Sequence, residues 1–414
     1  MERDPELSSQ SLVCTGCGCL CDDIEAEFEG SCVVSIGNAC AKGATYLRSA
    51  YDPGRRARSL VRGREVPIDE AVEEATRLLS KASRPVVFGL DDSTIEAQVA
   101  GIELARKLGA VIDDASSFSF GSLIEGIVGG ELPTCPLAEV RDNADLLVYW
   151  GSDPPHTHPR HISKFTYYAY TDWDPAGWYP RVTLSCVDVR ETELCSMARK
   201  NFKVRPGSDR DFIRAVIGEA QDETGQAAAF LETVKQSKFC ALFPGAGLVC
   251  SLGDDLACFK QMVHVLGQST RVTVVPMIAE SNMLGFNRSL HEQCGHVNQV
   301  SFASGVSRST EYSFLAQVRN RTSDCVLVVG ADPFSALPQS LLKNLQGTAV
   351  ICLDPFVTAT TMVAEVVIPT AVPGLEQGGS VMRMDGERLA LANPAEGRYP
   401  TDVTILERIT KRIA

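Results

Sequence analysis

The chain has 414 residues, of which 44% are hydrophobic and 22% are charged, a balance typical of a folded globular protein. Its length exceeds what one hydrophobic core usually serves, so we expect two or three domains. The 52 acidic side chains outnumber the 39 basic ones, and the formal net charge is −13. This charge argues against duplex nucleic acid as a partner, because a phosphate polyanion binds to a basic surface.

Membrane and secretory signals are not expected in this sequence. No apolar run approaches the roughly 20 residues that a membrane-spanning helix needs. The first residues, Met1-Glu2-Arg3-Asp4, lack the basic and apolar regions of a signal peptide. We therefore expect a cytoplasmic enzyme or enzyme subunit that does not bind a membrane.

The first predicted region, residues 1–60, is rich in cysteine. Cys14, Cys17 and Cys21 are closely spaced, and Cys40 follows at a distance. Three close thiolates with a distant fourth are typical of a [4Fe–4S] site, where small neighbouring residues let backbone N–H groups reach the sulfurs. A structural zinc site more often has two pairs of closely spaced ligands. We therefore favour an iron–sulfur cluster, with a zinc site or unbound thiols as the alternatives.

The next region, residues 61–220, alternates amphipathic helices with short apolar strands. The predicted elements are helix 68–82, strand 85–90, helix 93–108, strand 110–113, strand 145–150, strand 182–188 and helix 211–219. Strands and helices that alternate at these lengths predict a parallel sheet with right-handed crossovers.

The same alternation restarts in residues 221–370. The predicted elements are helix 226–236, strand 240–243, helix 251–266 and strands 271–276, 325–329 and 349–353. Two strands end in matching sequences, Gly151-Ser152-Asp153-Pro154 and Gly330-Ala331-Asp332-Pro333. We predict an α/β protein with a Cys-rich N-terminal segment and two doubly wound parallel-sheet lobes. The ligand site is expected beyond the carboxyl ends of the strands, in a cleft between the lobes, with the Gly-rich tail 371–414 over it.

The motifs resemble a known family. Cys14-x2-Cys17-x3-Cys21, followed by Cys40 and then Lys42-Gly43, resembles the start of the molybdopterin and tungstopterin oxidoreductases. More narrowly, Cys21-Asp22-Asp23-Ile24 with Asn38-Ala39-Cys40 resembles the B subunit of formylmethanofuran dehydrogenase. The stretch 151–161 and shorter matches further on extend the resemblance over nearly the whole chain.

The resemblance implies a pterin-type cleft in addition to the cluster site. The residues at matching positions in that cleft are Lys42, Gly151, Asp153, His158, Arg160, Asp188, Arg190, Asp209, Gly330 and Asp332.

One departure from the family pattern decides the functional expectation. The family binds its metal through a cysteine or selenocysteine followed by His-Gly, and the matching stretch here is 116–121. Ser119 replaces the soft donor, and a hydroxyl is a hard ligand that loses its proton far less readily than a thiol. Phe120 replaces the histidine and can neither take nor give a proton. The resemblance thus implies that the molybdenum or tungsten pterin has been lost and that this chain contributes no catalytic residue.

This pattern is similar to that of the B subunit of bacterial formyltransferase/hydrolase complexes. The resemblance implies a four-subunit assembly in tetrahydromethanopterin-linked one-carbon metabolism, which moves a formyl group to a methylofuran-like carrier and releases formate. Two alternatives stay open. One is a working catalytic subunit of formylmethanofuran dehydrogenase, and the other is an iron–sulfur or zinc scaffold protein.

Overall fold

The computed structural model describes residues 7–30, 32–169 and 182–413. The chain divides into two compact units. The first unit comprises Met1–Phe118, Glu280–Arg383 and Arg388–Ala414, and the second comprises Ser119–Ala279 and Met384–Glu387. Within the described ranges, none of the helices combines the length and the apolar composition that crossing a bilayer requires.

The strands follow one another along the chain as β1 (Leu7–Leu12), β2 (Ile24–Glu29), β3 (Cys32–Gly37), β4 (Leu60–Val61), β5 (Arg64–Glu65), β6 (Pro85–Gly89), β7 (Val111–Asp113), β8 (Leu146–Trp150), β9 (Thr183–Asp188), β10 (Lys200–Lys203), β11 (Phe239–Pro244), β12 (Arg271–Val274), β13 (Val300–Ser301), β14 (Ser307–Arg308), β15 (Cys325–Val329), β16 (Ala349–Leu353), β17 (Val366–Ile368), β18 (Gly379–Met382) and β19 (Arg388–Leu391).

The α-helices are α1 (Ala41–Ser49), α2 (Ile68–Lys81), α3 (Ile95–Leu108), α4 (Gly121–Val128), α5 (Leu137–Asn143), α6 (Pro154–Thr157), α7 (His161–Lys164), α8 (Glu193–Met197), α9 (Asp209–Val216), α10 (Gln226–Lys235), α11 (Ala246–Leu252), α12 (Ala257–Gly267), α13 (Met283–Cys294), α14 (Phe314–Asn320), α15 (Pro333–Ala336), α16 (Gln339–Leu342), α17 (Ala359–Val363) and α18 (Asp402–Arg412).

The first unit is built on a large sheet with the strand order β14-β13-β7-β6-β15-β16-β17-β4-β5, whose centre from β7 to β17 is parallel. Every residue of β6 and β15 is buried, because helices cover both faces of the sheet. On one face Val87 and Leu327 share a core with residues of α2, α3 and α18. On the other face Phe88 packs against Phe314 of α14. The unit therefore has three layers.

Two smaller antiparallel sheets belong to the same unit. The Cys-rich segment includes the sheet β1-β2-β3, and the segment 371–414 includes the hairpin β18-β19. The segment 371–414, predicted as a Gly-rich tail, also contains α18, which buries Leu406 and Ile409 in the core.

The second unit is a parallel sheet with the strand order β10-β9-β8-β11-β12. Its central strand β8 is buried along its whole length, as expected for a strand between two helical layers. The two large sheets each combine strands from the regions 61–220 and 221–370, since β6 pairs with β15 and β8 pairs with β11. The α/β class, with parallel sheets and a Cys-rich N-terminal region, is confirmed.

Candidate functional site

The first unit presents carboxylates where its parallel strands end. The strand order reverses between β6 and β15, and ligands of open α/β sheets bind beyond the carboxyl ends of the strands at such a point. Asp91 and Asp92 follow β6, Asp113 ends β7 and precedes Asp114, and Asp354 follows β16. This end of the sheet is therefore acidic.

Burial changes how these carboxyl groups titrate. It raises the pKa of Asp113 and of Asp354 to about 7, even though each accepts backbone hydrogen bonds. It also raises the pKa of Asp91 and of Asp114 well above the ordinary value, and repulsion from Asp114 adds to the effect on Asp91. Asp91 is 1% exposed, and its Oδ1 has no hydrogen-bond partner among the described residues. The carboxyl groups of this cluster therefore bind protons more tightly than an exposed aspartate does.

A polar network supports Asp114. The hydroxyl of Ser116 donates to Asp114 Oδ1, and the amide of Asn287 donates to Asp114 Oδ2 at 2.9 Å. The amide of Asn298 in turn donates to Ser116 Oγ at 2.7 Å. All four side chains are buried. Their hydrogen bonds fix the orientation of the carboxyl group, so it is built into the fold.

Lys42 acts on both the acidic strand ends and the cysteine loop. Burial raises the pKa of Glu280 to about 7, and the charge of Lys42 opposes that rise. The carboxylate of Asp92 is accessible, but the protein around it still raises its pKa, again against Lys42. Lys42 also favours the thiolates of Cys14 and Cys17. The positive charge of Lys42, which is exposed, thus acts to lower the pKa of both the carboxyl groups and the thiols.

The cysteine loop brings several thiols together in the protein interior. Cys14, Cys17, Cys19 and Cys21 are buried, and Cys40 is half-buried. Burial raises the pKa of Cys14 to about 11. A hydrogen bond from the Cys19 thiol lowers the pKa of Cys17 to about 7, so Cys17 is the thiol of this pair that more readily becomes a thiolate. Cys19, which the spacing leaves out of the predicted quartet, is therefore part of the loop's chemistry.

Gly43 is the place where two sulfurs of the quartet approach one another. A Cβ atom at Gly43 would lie 2.8 Å from Cys14 Sγ and 3.7 Å from Cys40 Sγ. The Gly43 N–H donates to Cys40 Sγ at 3.3 Å. Sulfur close to the backbone with an N–H donor beside it is a feature of iron–sulfur sites, and the structure shows this feature for Cys14 and Cys40. Among the described residues, no three His, Cys, Asp or Glu side chains are grouped as ligands of a metal ion.

The second unit reverses its strand order between β8 and β11, and glycines line that point. Gly151 has φ +58°, and a Cβ there would lie 2.3 Å from the backbone N of Leu248. A Cβ at Gly245 would lie 2.4 Å from the carbonyl oxygen of Gly151. The N–H of Gly247 donates to that same oxygen at 3.0 Å. The ends of β8 and β11 can therefore lie this close together only because these residues are glycines without a side chain.

Several sequence-predicted residues surround the end of β8. Asp153 Oδ2 contacts the ring of His156 at 3.0 Å, while its buried Oδ1 has no hydrogen-bond partner among the described residues. His158 is buried, with Nε2 2.6 Å from the carbonyl oxygen of Ile278. The indole N–H of Trp150 donates to Asp209 Oδ1 at 2.7 Å. Contacts with other residues of the second unit thus hold the side chains of His158 and Asp209 in its interior.

The neighbouring strand β9 places two more predicted residues at the same end of the sheet. Asp188 Oδ1 accepts from the backbone N–H of Arg190 at 3.1 Å, which shapes the turn after the strand. Gly151 donates its N–H to the carbonyl oxygen of Val187 at 2.8 Å, which ties this turn to the end of β8. Arg160 precedes α7 and is half-buried. The structure therefore brings Gly151, Asp188 and Arg190 to one end of one sheet.

The predicted residues Gly330 and Asp332 belong to the first unit. A Cβ at Gly330, which has φ +54°, would lie 2.9 Å from Ser93 Oγ. Asp332 accepts from the N–H of Thr360 at 2.9 Å and of Ala359 at 3.2 Å. Its carboxylate therefore holds the first turn of α17.

Ser119 and Phe120 lie between a 3-10 turn, Ala115–Phe118, and α4. Ser119 is half-buried, and Phe120 is 4% exposed. A hydroxyl and a hydrocarbon ring do not supply the soft donor and the proton acceptor of a pterin-bound metal. This pair does not fit a molybdenum or tungsten centre.

The motifs and their spacing did not predict the acidic cluster of the first unit. A signal for it exists, because Asp91, Asp92, Asp113 and Asp114 come directly at the ends of two predicted strands. Neighbouring parallel strands place the residues that follow them at the same end of the sheet. Glu280 carries no comparable signal.

Comparison with known proteins gives the family. No model of a known protein family matches the chain. The chain is 30% identical to the B subunit of tungsten-containing formylmethanofuran dehydrogenase 2 from Methanocaldococcus jannaschii and 28% identical to that from Methanococcus maripaludis, with 98% of each sequence covered in both cases.

A solved structure shares the fold. It is a chain of the formyltransferase/hydrolase complex from Methylorubrum extorquens, crystallised with methylofuran. The TM-score is 0.69 at 19% identity, over 86% of this chain and 98% of that one. These relatives confirm the resemblance that the motifs indicated. The chain belongs to the family of formylmethanofuran dehydrogenase B subunits.

Proposed function

We propose that this chain is a redox-inactive B subunit of a formyltransferase/hydrolase complex. The observation that carries the proposal is the pair Ser119–Phe120, which offers an alcohol and a buried phenyl ring where the family pattern has a metal-binding Cys and a His. Formate oxidation at a pterin metal needs that soft donor and a neighbouring base. The shared fold with a chain of such a complex supports the assignment.

In this proposal the chain contributes to its complex as a structural and binding subunit. Its partners are the other subunits of a four-subunit assembly, and a methylofuran-like carrier binds at the level of the whole complex. The residues proposed for the pterin-type cleft are Lys42, Gly151, Asp153, His158, Arg160, Asp188, Arg190, Asp209, Gly330 and Asp332. The unpartnered Oδ1 of Asp153 supports that role, because a buried acceptor is stabilised by a donor from a ligand.

The cysteine loop is proposed to hold a [4Fe–4S] cluster through Cys14, Cys17, Cys21 and Cys40. The closeness of Cys14 Sγ and Cys40 Sγ to Gly43 and the N–H donor beside Cys40 Sγ support two members of this ligand set. Such a cluster would supply rigidity or one-electron transfer. Lys42 would place a positive charge near it, as it does near Cys14 and Cys17 here.

Dye reduction by the purified complex tests the proposal. We expect no reduction of a viologen dye with formate or with a formylated furan carrier. The variant Ser119→Cys should gain no activity, because Phe120 still lacks a proton-accepting group. Dye reduction by the unaltered complex at the rate of a working dehydrogenase would overturn the proposal.

A second candidate is a catalytic subunit of formylmethanofuran dehydrogenase. The observation in its favour is the 30% identity over 98% of the chain with a subunit of a tungsten-containing enzyme. The same assay separates the candidates, since only this one expects formate-dependent dye reduction.

A further inference from the structure

Two buried cysteines of the second unit lie unusually close together. Cys186 is in β9 and Cys195 is in α8, nine residues later, with their Sγ atoms 2.6 Å apart. A disulfide bond is about 2.05 Å long, so a small movement would join the two sulfurs. Neither residue belongs to the quartet proposed for a cluster.

The fold holds both cysteines in this arrangement. Cys186 lies between two neighbouring strands, paired with Tyr149 of β8 and with Asn201 of β10. The hydroxyl of Thr192 accepts from the backbone N–H of Cys195 and lies 3.2 Å from its Sγ. The amide of Asn201 donates to the carbonyl oxygen of Cys195 at 2.8 Å. The backbones of both cysteines are therefore held in place by their neighbours.

We propose that Cys186 and Cys195 form a reversible disulfide that locks the loop after β9. This loop, residues 189–192, carries Arg190 and follows Asp188, and it lies where β9 ends. Closing a bond across it would restrain the turn that Asp188 and Arg190 form. The inference does not depend on the proposed function.

The oxidant is a soluble disulfide such as oxidised glutathione. The thiolate of Cys195, which at 6% exposed is the more accessible of the two, attacks one sulfur of that disulfide and releases one thiol. The Cys186 thiolate then attacks the Cys195 sulfur of the mixed disulfide and releases the second thiol. In sum, two cysteine thiols lose two protons and two electrons, and the soluble disulfide gains them.

Peptide mapping by mass spectrometry tests the bond on the full chain. The protein is incubated with oxidised or with reduced glutathione, unfolded in an alkylating reagent and digested. We expect a linked Cys186–Cys195 peptide, lighter by two hydrogens, after oxidation and its loss after reduction. The variant Cys195→Ser should lose the link, while Cys240→Ser, which alters a buried cysteine of the same sheet, should keep it.

Two results would overturn the proposal. One is alkylation of Cys186 and Cys195 as free thiols after oxidation, and the other is linkage of either residue to a different cysteine. The measurement on the unaltered protein decides the matter even if a variant does not fold.

Discussion

The two turns 151–154 and 330–333 have nearly the same sequence and the same backbone, but their aspartates have different partners. The first glycines have φ of +58° and +54°, and Asp153 and Asp332 share φ of −126° before a proline that begins a short helix. Asp332 uses both carboxylate oxygens to hold α17. The carboxylate of Asp153 contacts the ring of His156, and its buried Oδ1 has no hydrogen-bond partner among the described residues. The shared motif thus fixes the backbone, and the surrounding fold decides which partners the aspartate has.

The two turns should differ most in how much stability is lost when the glycine of each is replaced by alanine. Gly151→Ala places its Cβ against the backbone of Leu248, which cannot move aside, and should lower the free energy of unfolding by about 3–5 kcal/mol. Gly330→Ala meets only the side chain of Ser93 and should cost about 1–2 kcal/mol, mainly for its positive φ. Urea unfolding of both variants measures this.

Gly207→Ala is the control for backbone strain alone, since Gly207 has φ +76° and nothing lies near its Cβ position. It should cost about 1–2 kcal/mol, like Gly330→Ala. Equal losses for Gly151→Ala and Gly207→Ala would mean that the contact between the ends of β8 and β11 does not restrict the turn.

The aspartates should differ in the same experiment, by a smaller amount. Asp332→Ala leaves the first N–H groups of α17 without their acceptors and should cost about 1–3 kcal/mol. Asp153→Ala removes a contact to an exposed histidine and should cost at most about 1 kcal/mol. If Asp153→Ala were the more destabilising, Asp153 would be a structural residue, and its proposed role toward a ligand would lose its support.

Buried carboxyl groups should also make the stability of the first unit depend on pH. Asp113 and Asp354 have pKa values of about 7 in the folded protein, against an ordinary value of 3.8, so the folded state binds protons more tightly. Their contribution therefore lowers the free energy of unfolding as pH rises from about 4 to about 7. Asp91→Asn should make the loss at rising pH less steep, because burial and Asp114 raise the pKa of Asp91 as well.

Urea unfolding at several pH values measures this slope. Glu103→Gln is the matched control, because Glu103 is an exposed acid on α3. A slope that Asp91→Asn and Glu103→Gln change equally would contradict the assignment of protons to the acidic strand ends.

The elements buried on both faces were predictable from sequence, and the features that depend on distant parts of the chain were not. Strands such as 85–90 and 145–150 were found because a parallel strand between two helical layers is apolar throughout. The predicted helix 251–266 is instead two helices, because Gly253 ends α11 with φ +61°. Apolar spacing alone does not show such a break.

The site was predictable to a similar extent. The cysteine spacing led to the loop around Gly43, and the repeated glycine–aspartate sequences led to both turns. The different partners of Asp153 and Asp332 could not be predicted from the sequence. The helix α17, whose N–H groups donate to Asp332, lies more than 20 residues further along the chain. The close approach of Cys186 and Cys195 also requires the fold, because their spacing matches no common thiol motif.

Metal analysis of the purified complex tests the central claim most directly. Because we propose that Ser119 and Phe120 stand where the family pattern has the donor and the base of a pterin metal site, we expect iron but neither tungsten nor molybdenum in stoichiometric amount with this chain. Tungsten or molybdenum at one atom per chain, with X-ray absorption showing the metal bonded to the Ser119 oxygen, would contradict the account.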